Sequence, residues 1–177
     1  MQTVAAYAVK VRDQPINHGF HLPGARVEGL RTMEFTATLG RGRRRFRQAR
    51  RQLLAWKMHH GSCRTAIWRT DQDTIVTVAR MAPFLWVLNP CRCLSVVESH
   101  GLCQRSVMVA YATTRGHLIA GREQMQVRLC ANGDVTFEVS SISQGAGFFG
   151  RALFPLLAPA QTRFFREQLR CMALGGF

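Results

Sequence analysis

The residues best suited to chemistry in this sequence are arginines that follow a glycine turn at residues 40–42. No acidic residue occurs between Glu34 and Asp71, so these arginines lack the i, i+4 carboxylate partners that usually accompany a solvated helix face. Arrays of this kind bind phosphates and release counterions. The predicted polyanion-binding residues are Arg41, Arg43, Arg44, Arg47, Arg50 and Arg51, extended by Arg163, Arg166 and Arg170 if the two helices lie close together.

The charge of the whole chain also favours a polyanionic partner. The 177 residues include 24 Lys and Arg against 10 Asp and Glu, a formal net charge of +14. Only Lys10 and Lys57 are lysines, and arginine gives the bidentate phosphate contacts and base stacking that lysine does not. An anionic membrane surface and a plain solvated helix face are the alternative interpretations.

Soft metal ligands are concentrated in one short stretch, as Cys91, Cys93, His100 and Cys103. Structural zinc sites usually space their paired cysteines more widely than Cys-x-Cys does. We therefore favour buried thiols in a reducing compartment for the six cysteines, and we expect neither a metal nor a cofactor.

Two motifs that are typical of enzymes occur in a sequence context that does not suit the corresponding chemistry. Residues 145–150 match the glycine pattern of dinucleotide-binding loops, but no strand follows the helix that they open, so we expect a turn before a helix. Cys63 follows His59 and His60 after the end of a helix, where the helix dipole opposes a thiolate. We expect one of these histidines to cap the last helical turn, and we expect a protein that is not an enzyme.

The hydropathy pattern places these residues on an α+β order of elements. Residues 32–39 alternate as a half-buried strand, and residues 43–58 form a helix with one apolar stripe. The helix at residues 147–174 ends the chain, and Pro155 and Pro159 are expected to break or kink its first half. The intervening strands are predicted at residues 64–70, 74–81, 84–88, 92–99, 102–113, 124–130 and 135–143.

The order of elements predicts one domain over residues 1–177. Consecutive strands joined by short turns form an antiparallel meander, and a long amphipathic helix after it packs across the concave face. The fold class is α+β, a helix-grip arrangement of about seven strands. Residues 1–29 are expected to form an irregular N-terminal segment, and residues 30–143 the sheet with its inserted helix.

Three groups of motif residues occur along the chain. One block comprises Leu22-Pro23-Gly24, Gly40-Arg41-Gly42, Phe46, Ala49, Leu54, Trp56, Met58-His59 and Gly61. A second comprises Tyr111-Ala112-Thr113, Gly116-His117 and Gly121-Arg122-Glu123, and a third comprises residues 135–143, Gln161 and the arginine-rich last helix. Together they resemble a family known as domain of unknown function 1990, whose closing segment the third group matches. The resemblance covers nearly the whole chain and implies a START-like, birch-allergen-like helix-grip fold, with no established activity.

The chain departs from the family pattern at three places. It has Leu118 where the family tends to have proline, Arg122-Glu123 where it has two glutamates, and Ser143-Gln144-Gly145 where it has Ser-Arg-Pro. These departures favour binding or a structural role over chemistry. The resemblance also implies a cavity between sheet and helix, although the same residues suit a filled core. Its expected lining is Met125, Val127, Phe137, Val139, Phe165 and Leu169.

The sequence leads to two main functional hypotheses; a third and weaker one, a small hydrolase or cyclase acting in the cavity, has no set of residues to support it. The first is a non-catalytic RNA-associated protein, a peripheral subunit of a ribonucleoprotein such as a mitochondrial ribosome, with ribosomal RNA and neighbouring proteins as partners. The second is a module that binds a hydrophobic ligand or lipid. No apolar run is long enough for a transmembrane helix, and the first residues do not form a secretory signal. We expect the mitochondrial matrix or otherwise the cytoplasm.

Overall fold

The computed structural model describes residues 2–18, 30–59, 65–69, 74–82, 85–101 and 104–175. The elements are α1 (Gln2–Val11), β1 (Arg31–Arg41), α2 (Gly42–Leu54), a 3₁₀ turn (Lys57–His59), β2 (Thr65–Arg69), β3 (Thr74–Ala82), β4 (Leu85–His100), β5 (Arg105–Thr113), β6 (Ile119–Leu129), β7 (Asp134–Gly145) and α3 (Gly147–Ala173). No helix in this described part of the chain has the length and hydropathy needed to cross a membrane.

The seven strands form one antiparallel sheet with the order β1-β7-β6-β5-β4-β3-β2. Strands β2 to β7 are a meander, and β1 closes the far edge by pairing with β7. Both α2 and α3 pack on one face of this curved sheet, where their buried side chains meet those of β5, β6 and β7. The predicted α+β helix-grip fold is therefore confirmed.

Arginine side chains fasten the helix ends to the sheet. Arg45, in the first turn of α2, donates to the carbonyl of Leu39 at 2.7 Å and to that of Met172 at 2.5 Å. Arg92 of β4 likewise donates to the carbonyls of Arg12 and Gln14, just after α1. A cation at a helix C-terminus satisfies carbonyls that have no helical donor. Part of the positive charge therefore serves the fold itself.

In the described structure the N-terminal half of α3 packs sparsely on the sheet, and one side-chain hydrogen bond of 2.6 Å, from Arg31 to the Ala158 carbonyl, adds to its contacts at Gly150 and Gln161. The helix is continuous through Pro155 and Pro159, yet none of its residues between Gly150 and Gln161 is buried. At Gly150 the backbone lies against the carbonyl of Leu118, and a Cβ there would overlap that oxygen. Residues 145–150 do open a helix as expected, but the turn is reduced to one linking residue, because β7 ends at Gly145 and α3 begins at Gly147.

Three expected boundaries are corrected by the structure. Residues 1–29 are not wholly irregular, because α1 forms where Ala8 and Val11 pack against Val76. The strands expected at 84–88 and 92–99 are one strand, β4, in which Pro90 pairs with Val76. The helix expected at 43–58 ends at Leu54 and is followed by the 3₁₀ turn.

Candidate functional site

A cavity of about 400 Å³ lies between the sheet and the middle of α3. Its lining comes from strands β3 to β6, from the turn after β5 and from one side of the helix. The described lining residues are Thr77, Val87, Asn89, Cys91, Tyr111, Thr113, His117, Leu118, Ile119, Gly121, Glu123, Leu157, Pro159, Ala160, Gln161, Arg163, Phe164 and Glu167. A concave, mostly apolar space with a few convergent polar groups is typical of a small-molecule site.

A buried carboxyl group forms the polar centre of the cavity. Strand register places Tyr111 directly opposite Glu123, and the phenol hydroxyl donates to Glu123 Oε2. Burial raises the pKa of Glu123 to about 8, although a hydrogen bond with the Gln161 side chain opposes this rise. Desolvation dominates because a charged carboxylate loses its water here. Glu123 is therefore mostly protonated at neutral pH.

Gln161 connects this carboxyl group to the neighbouring strand. Its side chain hydrogen-bonds Glu123, and its Oε1 accepts a hydrogen bond of 3.2 Å from the Ser143 hydroxyl. Gln161 is the first buried residue of α3 after Gly150, so the amide also marks where the helix returns to the sheet. The helix α3 and the strands β6 and β7 are thus joined through one buried polar chain.

A second neutral group, His117, comes from the turn between β5 and β6. Gly116 makes this turn with a positive φ of 99°, which suits glycine. The backbone N–H of Ile119 donates to His117 Nδ1 at 2.9 Å, so the ring proton resides on Nε2 in the neutral form. Desolvation lowers the pKa of His117 to about 4. The imidazole is therefore uncharged at neutral pH.

The chain preceding β1 holds this end of the cavity in place. The Thr113 hydroxyl donates to Asn17 Oδ1 at 2.7 Å and accepts from the Gly121 N–H at 2.8 Å. Arg115 N–H donates to the carbonyl of Pro15. The two strand ends that carry Tyr111 and Glu123 are therefore fixed by contacts from residues 15–17.

The charged lining residues neutralise each other. Arg163 and Glu167, one turn apart on α3, form an ion pair of 3.1 Å. The remaining ionisable groups of the described lining are Cys91, Tyr111, His117 and Glu123. Burial raises the pKa of Cys91 well above its usual value, with a contribution from nearby Glu123. At neutral pH the described lining therefore carries no uncompensated charge.

The second block of motif residues meets at this cavity, whereas the expected apolar lining does not. Tyr111, Thr113, His117, Gly121 and Glu123 all line the space. Five of the six expected residues are fully buried in the packed core, where Leu169 packs against them. These six are Met125, Val127, Phe137, Val139, Phe165 and Leu169. They fill the interior beside the cavity.

The arginine cluster is partly neutralised by the fold. Arg50 makes a two-pronged ion pair with Glu98, at 2.6 and 2.9 Å, and Arg41 pairs with Asp134 at 3.0 Å. The other four arginines predicted in this cluster are exposed, and within the described residues no carboxylate pairs with them. They are Arg43, Arg44, Arg47 and Arg51. On α3, Arg163, Arg166 and Arg170 are exposed, and Arg163 has Glu167 as its partner.

The sulfur and histidine candidates form no metal centre among the residues that the structure describes. Cys91 and Cys93 lie on β4, while His100 lies at its far end beside Glu98. Cys103 falls outside the described residues, and the described part of the chain contains no group of three metal-ligating side chains. His59 is buried between Trp56 and Phe164, with Gln168 Nε2 at 3.3 Å from its Nδ1. His60 and Cys63 also fall outside the described residues.

Comparison with known proteins identifies the family. Residues 12–171 match the family model described as Domain of unknown function (DUF1990). A UPF0548 protein of Arabidopsis thaliana is 28% identical over 136 residues, covering 73% of this chain and 65% of the relative, just under two thirds of its length. A UPF0548 protein of Deinococcus radiodurans is 26% identical over 188 residues, covering 96% of this chain and 91% of the relative.

A solved structure with low sequence identity supports the fold and nothing beyond it. A hypothetical protein from Helicobacter pylori superposes with a TM-score of 0.53 at 11% identity, covering 88% of this chain and 92% of that chain. The family match spans most of the sequence and includes both blocks of motif residues described above. The chain therefore belongs to the family described as Domain of unknown function (DUF1990).

Proposed function

We propose that the protein binds a small, uncharged and largely apolar molecule in the cavity between the sheet and α3. The observation that carries this proposal is a cavity of about 400 Å³ whose described lining bears no uncompensated charge. This volume lies within the range of small-molecule sites. A charged ligand would lose its water without gaining a counter-charge, so the lining favours a neutral one.

The buried polar groups would orient such a ligand. A protonated Glu123 has a hydrogen to donate as well as oxygens that accept, and Tyr111 and Gln161 hold it in place. A ligand with one hydroxyl or carbonyl group would hydrogen-bond the Glu123 carboxyl group and so replace the water that this group lost on folding. Apolar side chains on the helix side, among them Leu157 and Phe164, would contact the remainder of the molecule.

Filling the cavity from the helix side is expected to prevent binding. Ala160 lines the cavity on α3 and is itself exposed, so Ala160→Phe would place a ring at the edge of the cavity while leaving the polar centre intact. Titration of the neutral fluorophore N-phenyl-1-naphthylamine should show affinity for the wild type. We expect Ala160→Phe to weaken it at least about tenfold, because the ring obstructs the space that the fluorophore would fill.

The matched control for this experiment is Ala152→Phe, which is exposed on the same helix, as Ala160 is, but lies outside the lining. It should bind the fluorophore as the wild type does. An equal decrease in fluorophore affinity in both variants would indicate binding at the helix surface and contradict the proposal. Mass spectrometry of an organic extract of the purified wild type then identifies any ligand that co-purifies.

RNA binding by α2 is a second candidate, favoured by its four exposed arginines without a carboxylate partner in the described structure. Reversing them is expected to reduce the salt dependence of single-stranded RNA affinity, by about 0.7 in log–log slope for each phosphate that is no longer neutralised. A control with the same charge change should keep the slope if the surface is specific. The test set is R43E, R44E, R47E and R51E; the control set is R12E, R105E, R115E and R151E.

The relatives do not support the ribosomal or mitochondrial part of the RNA-binding candidate. The relatives are proteins of a family of unknown function, and one of them is bacterial. Neither observation supports a ribosomal or mitochondrial setting. An unchanged salt slope in the R43E, R44E, R47E and R51E variant would exclude α2 as the phosphate-contacting surface.

A further inference from the structure

The outward face of α3 has an unusual composition. Buried positions of the helix form one stripe, which includes Gly150, Gln161 and Phe165. On the opposite side, the first half of the helix exposes large apolar side chains. Their exposed fractions are 81% for Phe148, 74% for Phe149, 41% for Leu153 and 73% for Leu156.

The second half of the same face is basic. At 100° per residue, Phe148, Phe149 and Leu156 fall within an arc of about 100°, and the exposed Arg163, Arg166 and Arg170 fall within that same arc. Glu167 is the only acid in the helix, and it is paired with Arg163. One continuous face thus changes from apolar to cationic along the helix axis.

We propose that this face of α3 docks on an anionic lipid bilayer. The apolar half would insert its side chains among the acyl chains near the headgroups, and the arginines would contact lipid phosphates. Arg151, the one charged residue of the apolar half, is exposed and at the helix start, where it also reaches the headgroup level.

The charge of the face argues against a second copy of the chain as its occupant. In a parallel pair the arginines of both copies would face one another, and in an antiparallel pair they would lie on exposed phenylalanines and leucines. Neither arrangement supplies the missing negative charge, whereas an anionic bilayer offers both phosphates and an apolar layer.

The test uses vesicle co-sedimentation of the full chain with phosphatidylcholine alone and with phosphatidylcholine containing phosphatidylglycerol. We expect binding to the anionic vesicles and much weaker binding to the neutral ones. The triple variant F148S/F149S/L156S should lower the partition coefficient at least about tenfold, because the inserted apolar surface is removed. R166Q/R170Q should lower it about fivefold for each arginine on the anionic vesicles alone.

The matched control is V96S/V97S, since these β4 side chains are also about half exposed, at 52% and 48%. It should partition as the wild type does. Equal binding to both kinds of vesicle, or an equal decrease in the control, would overturn the proposal. The proposal would also be overturned if the wild type bound no vesicles but formed a dimer in sedimentation velocity, or bound single-stranded RNA, and F148S/F149S/L156S abolished that association.

Discussion

Replacing Phe165 by alanine is expected to lower the free energy of unfolding by about 3–5 kcal/mol. The ring is fully buried on α3, with its centroid 5.9 Å from the Phe35 ring of β1 and 5.8 Å from that of Phe164. Removing it leaves a void between helix and sheet that the rigid strands cannot fill. The destabilisation therefore includes both the transfer free energy of the ring and the cost of the cavity.

Urea unfolding followed by far-ultraviolet circular dichroism measures this change, provided that the m-value stays constant. The matched control is Phe148→Ala on the same helix, because that ring is 81% exposed. Its destabilisation should stay within about 0.5 kcal/mol, as for surface substitutions. A destabilisation below about 1 kcal/mol for Phe165→Ala would mean that α3 is not packed against the sheet as described.

The second large effect is a dependence of stability on pH through Glu123. Its pKa is about 8 in the folded protein against 4.5 in the unfolded chain. The folded state therefore holds a proton that the unfolded state has released, so the stabilisation is complete below pH 4.5 and is lost as the pH rises through 8. Across this window the contribution is on the order of 5 kcal/mol.

His117 acts in the opposite direction. Its pKa falls from 6.5 to about 4 on folding, so its stabilisation is complete above pH 6.5 and is lost as the pH falls toward 4. Between pH 4.5 and 6.5 the two contributions cancel. Above pH 6.5 only the Glu123 contribution changes, and the wild type should lose about 2 kcal/mol between pH 6.5 and 8.

Two variants that cannot titrate separate these contributions. Glu123→Gln keeps the hydrogen-bonding shape but cannot titrate, so its stability relative to the wild type should rise steadily from pH 4.5 to 8. His117→Gln should show the reverse, a relative gain as the pH falls below 6.5. Urea unfolding at several pH values provides the measurement, and parallel curves for Glu123→Gln and the wild type would contradict the buried, protonated carboxyl group.

The fold was predictable because its signals are local. The alternation in β1, the apolar stripe of α2 and the turns between strands each reflect a few neighbouring residues, and their order leaves few topologies. Helix α1 was missed because it depends on a tertiary contact of Ala8 and Val11 with Val76. The interruption expected at Pro90 is absent. Strand β4 continues through this proline, whose carbonyl accepts a hydrogen bond from the Thr114 N–H.

The site was harder to predict from the sequence. Pairing β5 with β6 through a turn at residues 114–118 places Tyr111 opposite Glu123, so this contact had a usable sequence signal. Gln161 reaches the same carboxyl group from a helix far along the chain, and no local pattern indicates that. Desolvation of Glu123 and His117 is a property of the assembled cavity, so their shifted pKa values have no counterpart in the sequence.

The sparse anchoring of α3 has a kinetic consequence for the cavity beneath it. Pro155 and Pro159 lack N–H groups, so the carbonyls of Arg151 and Pro155 have no helical donor, and residues 151–160 have no fully buried side chain. Local opening of this segment breaks few hydrogen bonds and exposes little core, so it costs far less than global unfolding. A molecule of the proposed kind can therefore exchange with solvent while the sheet and the C-terminal half of α3 remain folded.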